Sequence, residues 1–399
     1  MKLKTCLIIL GISLFSSVSL SQWLSDVRLT NAAGPSLTNS ESIAVTGDII
    51  HVVWVDARDQ NWDIYYKASG DGGVNWSPDV RLTNISSSQT APAVVVSGPN
   101  VHVVWQDDRN GNDDIYYKRS VNGGFSWSSD IRLTTNSGGQ YAPRITVTGD
   151  ILHLIFIDTR NGNYEIYYKA SADGGINWSA DARMTNNSSF SLNPSVVVSG
   201  PDVHLVWEDD RDGNFEIYYK RSVNGGFSWT SDTRLTVAAG ESKSATITAA
   251  GSIVHMAWHD VRDGNFEIYY KASGDGGVNW SPDIRITNDV MVSSWPDIFV
   301  LGPYVHLTWS DTRSGGYEIY HKLSLNGGFT WGQDTRLTFS SGAASSSSIG
   351  VSDFKANIIW CDTRDGNQEI YYKLNPNANQ VGITPINSEI PDEYSLSQN

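Results

Sequence analysis

The sequence predicts an all-β fold: a seven-bladed β-propeller of four-stranded antiparallel blades, closed into a ring by its own N-terminal strand. Three observations carry this. A turn motif, S-x-[D/N]-G-G-x-x-W, begins at Ser69, Ser120, Ser171, Ser222, Ser273 and Ser324, at a constant interval of 51 residues. A two-strand signature, W-x-D-x-R leading to I-Y-[YH]-K, occurs seven times, headed by Trp54, Trp105, Phe156, Trp207, Trp258, Trp309 and Trp360. A further signature, W-x-x-D-x-R-[LMI]-T, also occurs seven times, but its first copy, Trp23 to Thr30, precedes any complete unit.

The elements follow in order. Residues 1–21 read as a secretory signal: Lys2 and Lys4, an apolar stretch from Leu7 to Leu20, and a small-x-small site at Ser19-Leu20-Ser21. The stretch is short and Ser-rich, so no membrane span is expected in the mature chain. Cys6 lies within it, which leaves Cys361 without a disulfide partner. Residues 22–374 are the propeller. In the first unit, Ser42 to Thr46 is a short apolar strand and Ile50 to Asp56 a second, across a Gly47-Asp48 turn. Asp63 to Ala68 is a third, aromatic-rich strand, and Trp76 to Thr83 a fourth. The unvarying interval implies identical units without insertions. The last unit, Ser348 to Leu374, lacks a fourth strand, so Trp23 to Thr30 must supply it. Residues 375–399, rich in Pro, Asn and Ser, read as a linker.

Formal net charge is −15 and 15 tryptophans are present. An acidic surface repels phosphate backbones, so no nucleic-acid partner is expected. No cofactor is expected, and a monomer is.

The S-x-D-x-G-x-x-W turn resembles the Asp-box of the sialidase-like, BNR-repeat superfamily, over nearly the whole mature chain. That resemblance implies a propeller whose Asp-boxes are structural and lie opposite the ligand face. The N-terminal signal implies a secreted or cell-surface protein, and a regular scaffold with a few irregular residues at one mouth implies a glycan or surface-protein ligand there. The segment Ile390 to Asn399 resembles the lead-in to the C-terminal sorting domains of type IX secretion substrates, which implies export by that route and a truncated chain.

Most chemistry-bearing residues are architecture on this reading. Asp71, Asp173 and Asp275 interchange with Asn122, Asn224 and Asn326, which suits turn capping and not proton transfer. His51, His102, His153, His204, His255 and His306 share one strand position on diverging blades, so they cannot converge on one metal. The D-x-R-[D/N]-G-N-x-[D/E] turn places Arg where a calcium loop needs an oxygen ligand. It reads as a hairpin with Arg–carboxylate pairs inside or between blades.

Function is therefore expected where the repeat breaks. At the start of the innermost strand the equivalent residues are Ser42, Ala93, Arg144, Ser195, Thr246, Asp297 and Ser348. Arg144 and Asp297 are the charged exceptions and should face the central channel. Glu41, Tyr141 and Trp295 beside them, and Trp62 in a D-x-R turn, are also unlike their counterparts. Aromatic faces beside polar groups suit carbohydrate. These six residues are the expected ligand site, with no catalytic residue assigned. The alternative is a glycoside hydrolase resembling an exo-sialidase. Arg144-Ile145-Thr146 partly matches that family's first R-I-P arginine, with Tyr141 nearby. The family's second and third arginines have no counterpart: Ser195, Thr246, Asp297 and Ser348 stand there.

Overall fold

The computed structural model describes residues 22–39 and 41–379. Residues 1–21, expected to be a secretory signal, Ser40, and residues 380–399, with the expected sorting-domain lead-in, lie outside the described residues.

Seven antiparallel sheets form the seven blades. In blade 2 the strands run Gln89–Ser97, Asn100–Asp107, Asp114–Ser120 and Ile131–Arg132, from the channel outward. The second strand of each blade is apolar nearly throughout because both of its faces are covered. Val101, Val103, Val104 and Trp105 are all fully buried. Alternate side chains enter opposite seams, so the core is seven interblade clusters. One such seam joins Val53, Ile64 and Tyr66 of blade 1 to Val94, Val103 and Trp105 of blade 2.

The ring closes as the sequence predicts. Val27–Arg28 pairs with Glu369–Asn375, placing Val27 opposite Tyr372. Leu24 N–H donates to Leu374 O at 2.8 Å, and Leu29 N–H to Ile370 O at 2.8 Å. Arg364 meets Asp26 at 2.7 Å and Arg28 meets Glu369 at 2.8 Å, pairs that every other blade makes with its own fourth strand.

Three details differ from the sequence expectation. The outer strands are only two residues long, such as Val80–Arg81, because the chain then switches to side-chain capping: Ile64 N–H donates to Thr83 Oγ1 at 2.9 Å. The last blade's third strand runs through Asn375, and Ala378 and Asn379 are buried, so folded structure continues past residue 374 into the expected linker. The units are also not free of insertions. Four residues, 38–41, join Leu37 to Ser42 in blade 1, where two, Ala91 and Pro92, join Thr90 to Ala93 in blade 2.

The architectural residues behave as expected. His51, His102, His153, His204 and His255 each place Nδ1 2.6–2.7 Å from a buried Tyr hydroxyl, and burial lowers their pKa to about 4. In blade 7, Asn357 Oδ1 accepts the same bond from Tyr372 at 2.7 Å. Every D-x-R arginine folds back within its own blade; Arg211 reaches Asp209 at 2.5 Å and Asp232 at 2.8 Å, over the face of Tyr218. In the glycine-pair turns, Ser69 Oγ donates to Asp71 Oδ1 at 2.9 Å, and Asn75 N–H donates to the same oxygen at 2.8 Å. Asn122 Oδ1 accepts identically from Ser126 N–H at 2.9 Å, so the turn needs no titrating side chain. The second glycine is obligatory: a Cβ on Gly124, at φ 90°, would lie 2.0 Å from the Tyr66 hydroxyl.

Candidate ligand site at the channel mouth

A β-bulge shapes the mouth of the channel. In blades 2 to 7 the ladder between first and second strands shifts register, as between Tyr141 and Arg144. The residue at each bulge is left-handed: Ala91, Ala142, Asn193, Ser244, Trp295 and Ser346 have φ between 45° and 57°. The side chain of the preceding blade caps several of these bulges. Ser244 N–H donates to Glu208 at 2.9 Å, and Trp295 N–H donates to His259 Nδ1 at 3.3 Å. In blades 4 to 7 the bulge residue, Asn193, Ser244, Trp295 or Ser346, lines the cavity at the channel mouth.

Blade 1 departs from this plan. Its longer segment is anchored from blade 7, with Thr38 N–H donating to Cys361 Sγ at 3.1 Å. Glu41, at φ 67°, leads into the innermost strand Ile43–Thr46, and its carbonyl accepts Val94 N–H of blade 2 at 3.0 Å. Asn39 and Glu41, both from this longer segment, line a cavity of about 290 Å³ together with Arg144, Asn193, Ser244 and Trp295. Beneath it the channel proper holds Asp297, with Glu41 at its rim.

The three charged groups act on one another. Arg144 Nε lies 3.8 Å from Glu41 Oε1. Desolvation in the narrow channel raises the Glu41 pKa to about 8; Arg144 opposes this, Asp297 adds to it, and the Ile145 N–H bond opposes it. The Glu41 side chain keeps about a quarter of its exposure and lines the cavity. Asp297 is a stitch across the ring: Oδ2 accepts Ile349 N–H of blade 7 at 3.0 Å and Oδ1 accepts Ile298 N–H at 3.0 Å. Burial outweighs these bonds and raises its pKa to about 6. Both carboxyls are thus held above the usual carboxylate range, Glu41 further than Asp297.

The structure brings Glu41, Arg144 and Trp295 together at the mouth, with Asp297 directly below. It does not bring Tyr141 or Trp62 there. Tyr141 precedes the bulge, pairs with Ile157, and turns outward over Gly139 toward Tyr164, at a centroid distance of 6.1 Å. Trp62 packs on the seam between blades 1 and 2. Sequence reading missed Asn39, Asn193 and Ser244. The signal for Asn39 was present: Trp23 and Trp76 are 53 residues apart, two more than the period.

Trp295 carries two oddities at once. It is the only aromatic residue among the described bulge positions, and it remains 45 % exposed while stacking, tilted, on Tyr317 at 5.5 Å. A large side chain in the left-handed region is strained, and such strain concentrates where a residue is used.

No family model matches the chain, and no curated protein sequence does. Solved structures do match. The endosialidase of phage phi92 aligns with TM-score 0.55 and 12 % identity over 94 % of this chain and 71 % of that one. The polysaccharide lyase Uly1 aligns with TM-score 0.59 and 10 % identity over 85 % and 90 %. An α-L-arabinofuranosidase from Fusarium graminearum aligns with TM-score 0.52 and 14 % identity over 71 % and 91 %. At these identities the likeness is one of fold, shared with propellers named for action on carbohydrate.

Proposed function

We propose that this chain is an exported, Asp-box-type propeller that binds a glycan at the mouth of its channel, seating one terminal saccharide against Trp295. The observation that carries this reading is the meeting of Glu41, Arg144 and Trp295 around a polar cavity of about 290 Å³ at the channel mouth. Trp295 offers an exposed ring face for the apolar side of a pyranose, and Arg144 a donor for a sugar carboxylate or hydroxyl pair. A single arginine lacks the bidentate convergence of a three-arginine clamp, so binding rather than sialic-acid hydrolysis is the reading we favour. Titration calorimetry against uronic-acid, sialic-acid and neutral oligosaccharides tests it. Binding that falls at least tenfold in both Arg144→Ala and Trp295→Ala is expected. Saturable binding untouched by either substitution, or none to any saccharide, would sink the proposal.

A second reading, a glycoside hydrolase, is favoured by one observation: Glu41 and Asp297 are coupled buried carboxyls with pKa values pushed apart to about 8 and 6, the pattern of an acid and a base. Against it, both Asp297 oxygens are taken by backbone donors. Release of an aryl leaving group from uronide or sialoside substrates, lost in Glu41→Gln, would favour this second reading.

A further inference from the structure

The opposite face of the ring repeats every two blades, not every one. Phe125, Phe227 and Phe329 stand 84–93 % exposed on the turns of blades 2, 4 and 6, where Val74, Ile176 and Val278 stand on blades 1, 3 and 5. One strand position alternates with them. Ala68, Ala170 and Ala272 occupy it in the odd blades, and Arg119 and Arg221 in blades 2 and 4. The arginines close their seams: Arg119 Nη1 donates across to Gly174 O at 2.7 Å, and Arg221 Nη1 to Gly276 O at 2.6 Å.

The alanines leave theirs open. Between blades 1 and 2 lies a groove of about 730 Å³ walled by Tyr66, Ala68, Trp76, Pro78, Val80 and Phe125. Between blades 5 and 6 lies its equivalent, about 740 Å³, walled by Tyr270, Ala272, Trp280, Ile284 and Phe329. The seam between blades 3 and 4 carries Tyr168, Ala170, Trp178 and Phe227 at the same positions, with the smaller Ala180 and Ala182 in place of Pro78 and Val80. These volumes suit a small molecule. The walls are too apolar to satisfy the hydroxyls of a sugar. Each of the two grooves has one carboxylate at its rim, Asp71 or Asp275, and neither is lined by a Lys or Arg. Backbone and side-chain donation from Asn75 and Asn279 lowers the pKa of both carboxyls, keeping them ionised.

We infer that the open seams are repeated binding sites for a small cationic amphiphile, an aryl- or alkylammonium whose apolar part enters the groove and whose charge faces the rim carboxylate. The acidic chain, at −15, adds long-range attraction for that charge.

The test uses 1-naphthylmethylammonium, with 1-naphthaleneacetate and 1-naphthylmethanol as anionic and neutral counterparts, in titration calorimetry on the intact mature chain. The cation is expected to bind two matched sites and one weaker site, at least fivefold tighter than the anion. Ala68→Arg or Ala272→Arg should remove one strong site each, and the triple variant with Ala170→Arg all three. Arg119 and Arg221 already occupy the equivalent position in their own blades, so these variants should fold. Phe125→Ser and Phe329→Ser, at exposed positions, give an independent arm with weaker binding at the same seams. Full binding by the triple arginine variant, an anion bound as tightly as the cation, or a neutral oligosaccharide displacing the probe would each overturn the inference. Loss of naphthyl binding in Arg144→Ala would overturn it too, by moving the site to the channel mouth. Since Arg144 and Trp295 lie on the other face, failure here leaves the saccharide reading untouched.

Discussion

Trp295 adopts a backbone conformation that a Cβ-bearing residue enters at a cost of roughly 1–2 kcal/mol, whereas the equivalent Asn193 belongs to a residue type that tolerates it. Trp295→Asn is therefore expected to leave the unfolding midpoint unchanged or raise it by a degree or two, while saccharide affinity drops at least tenfold. Calorimetric melting and binding titration together check this; a large fall in the midpoint would make Trp295 a structural anchor instead. The buried histidines have the opposite significance. Their folded pKa, about 4, lies below the ordinary 6.5, so the fold favours the neutral ring. The stability this contributes is full above pH 6.5 and is lost as pH falls through 4. Asn357 already makes the same tyrosine bond without a titrating group. His204→Asn should thus fold, and the midpoint should fall less steeply between pH 6.5 and 4, by an amount on the order of 2 kcal/mol in stability. Glu41 runs the other way: its raised pKa means the fold favours the protonated form, with stability declining as pH rises from 4.5 to about 8. Glu41→Gln should consequently gain on the parent protein as pH rises from 5 to 8, read as a widening difference in melting midpoint.

At the scale of elements, the hairpin arginine and its carboxylates are the most repeated polar device in the molecule. Asp209 is fully buried, accepts from Trp207 Nε1 at 3.0 Å and from Ser191 Oγ at 2.9 Å, and holds Arg211. Asp209→Ala leaves that guanidinium without its buried partner and should cost about 3 kcal/mol or more in denaturant unfolding. Asp71→Asn, which only copies Asn122, should stay within about 0.5 kcal/mol. These elements were legible in the sequence because each is written six or seven times at one spacing, so that departures stand out. Arg144, Asp297 and Trp295 stood out for that reason. Tyr141 and Trp62 were also irregular, yet they do not reach the mouth. A strand alternates its side chains, but a bulge resets the alternation, and the residue at the bulge varies: Ala142, Asn193 and Trp295 all occupy it, with only the following Pro in common. The carriage of Asn39 and Glu41 to the mouth depends on two additional residues in blade 1, visible only as a change in interval between Trp23 and Trp76.

At the scale of the whole molecule, seven similar seams share the stability, and one of them is unlike the rest. Between blades 6 and 7, His321 replaces the usual tyrosine and contacts His306 at 3.1 Å, Leu323 replaces the arginine or alanine, and Asn379 meets His306 Nε2 at 2.8 Å. Trp23 packs edge-on against His321 at 5.1 Å, so both ends of the described chain converge there. Removing residues 22–30 should uncover the outer edge of Glu369–Asn375 and strip Arg364 and Lys373 of Asp26. A lower unfolding midpoint and concentration-dependent association are expected, by calorimetry and light scattering; an unchanged monomeric melt would disprove closure by this strand.

That closure also imposes an order of events in time. Val27 and Arg28 are made before every other strand of the propeller, and their partners Tyr371 and Tyr372 come more than 340 residues later. The earliest strand of the propeller is therefore the last to find its place, and until then it waits as an unpaired ribbon while six blades assemble behind it. Because long-range pairings form slowly, the final clasp should be the slow phase of refolding, and it should quicken when the chain is permuted so that residues 22–30 follow residue 379 directly.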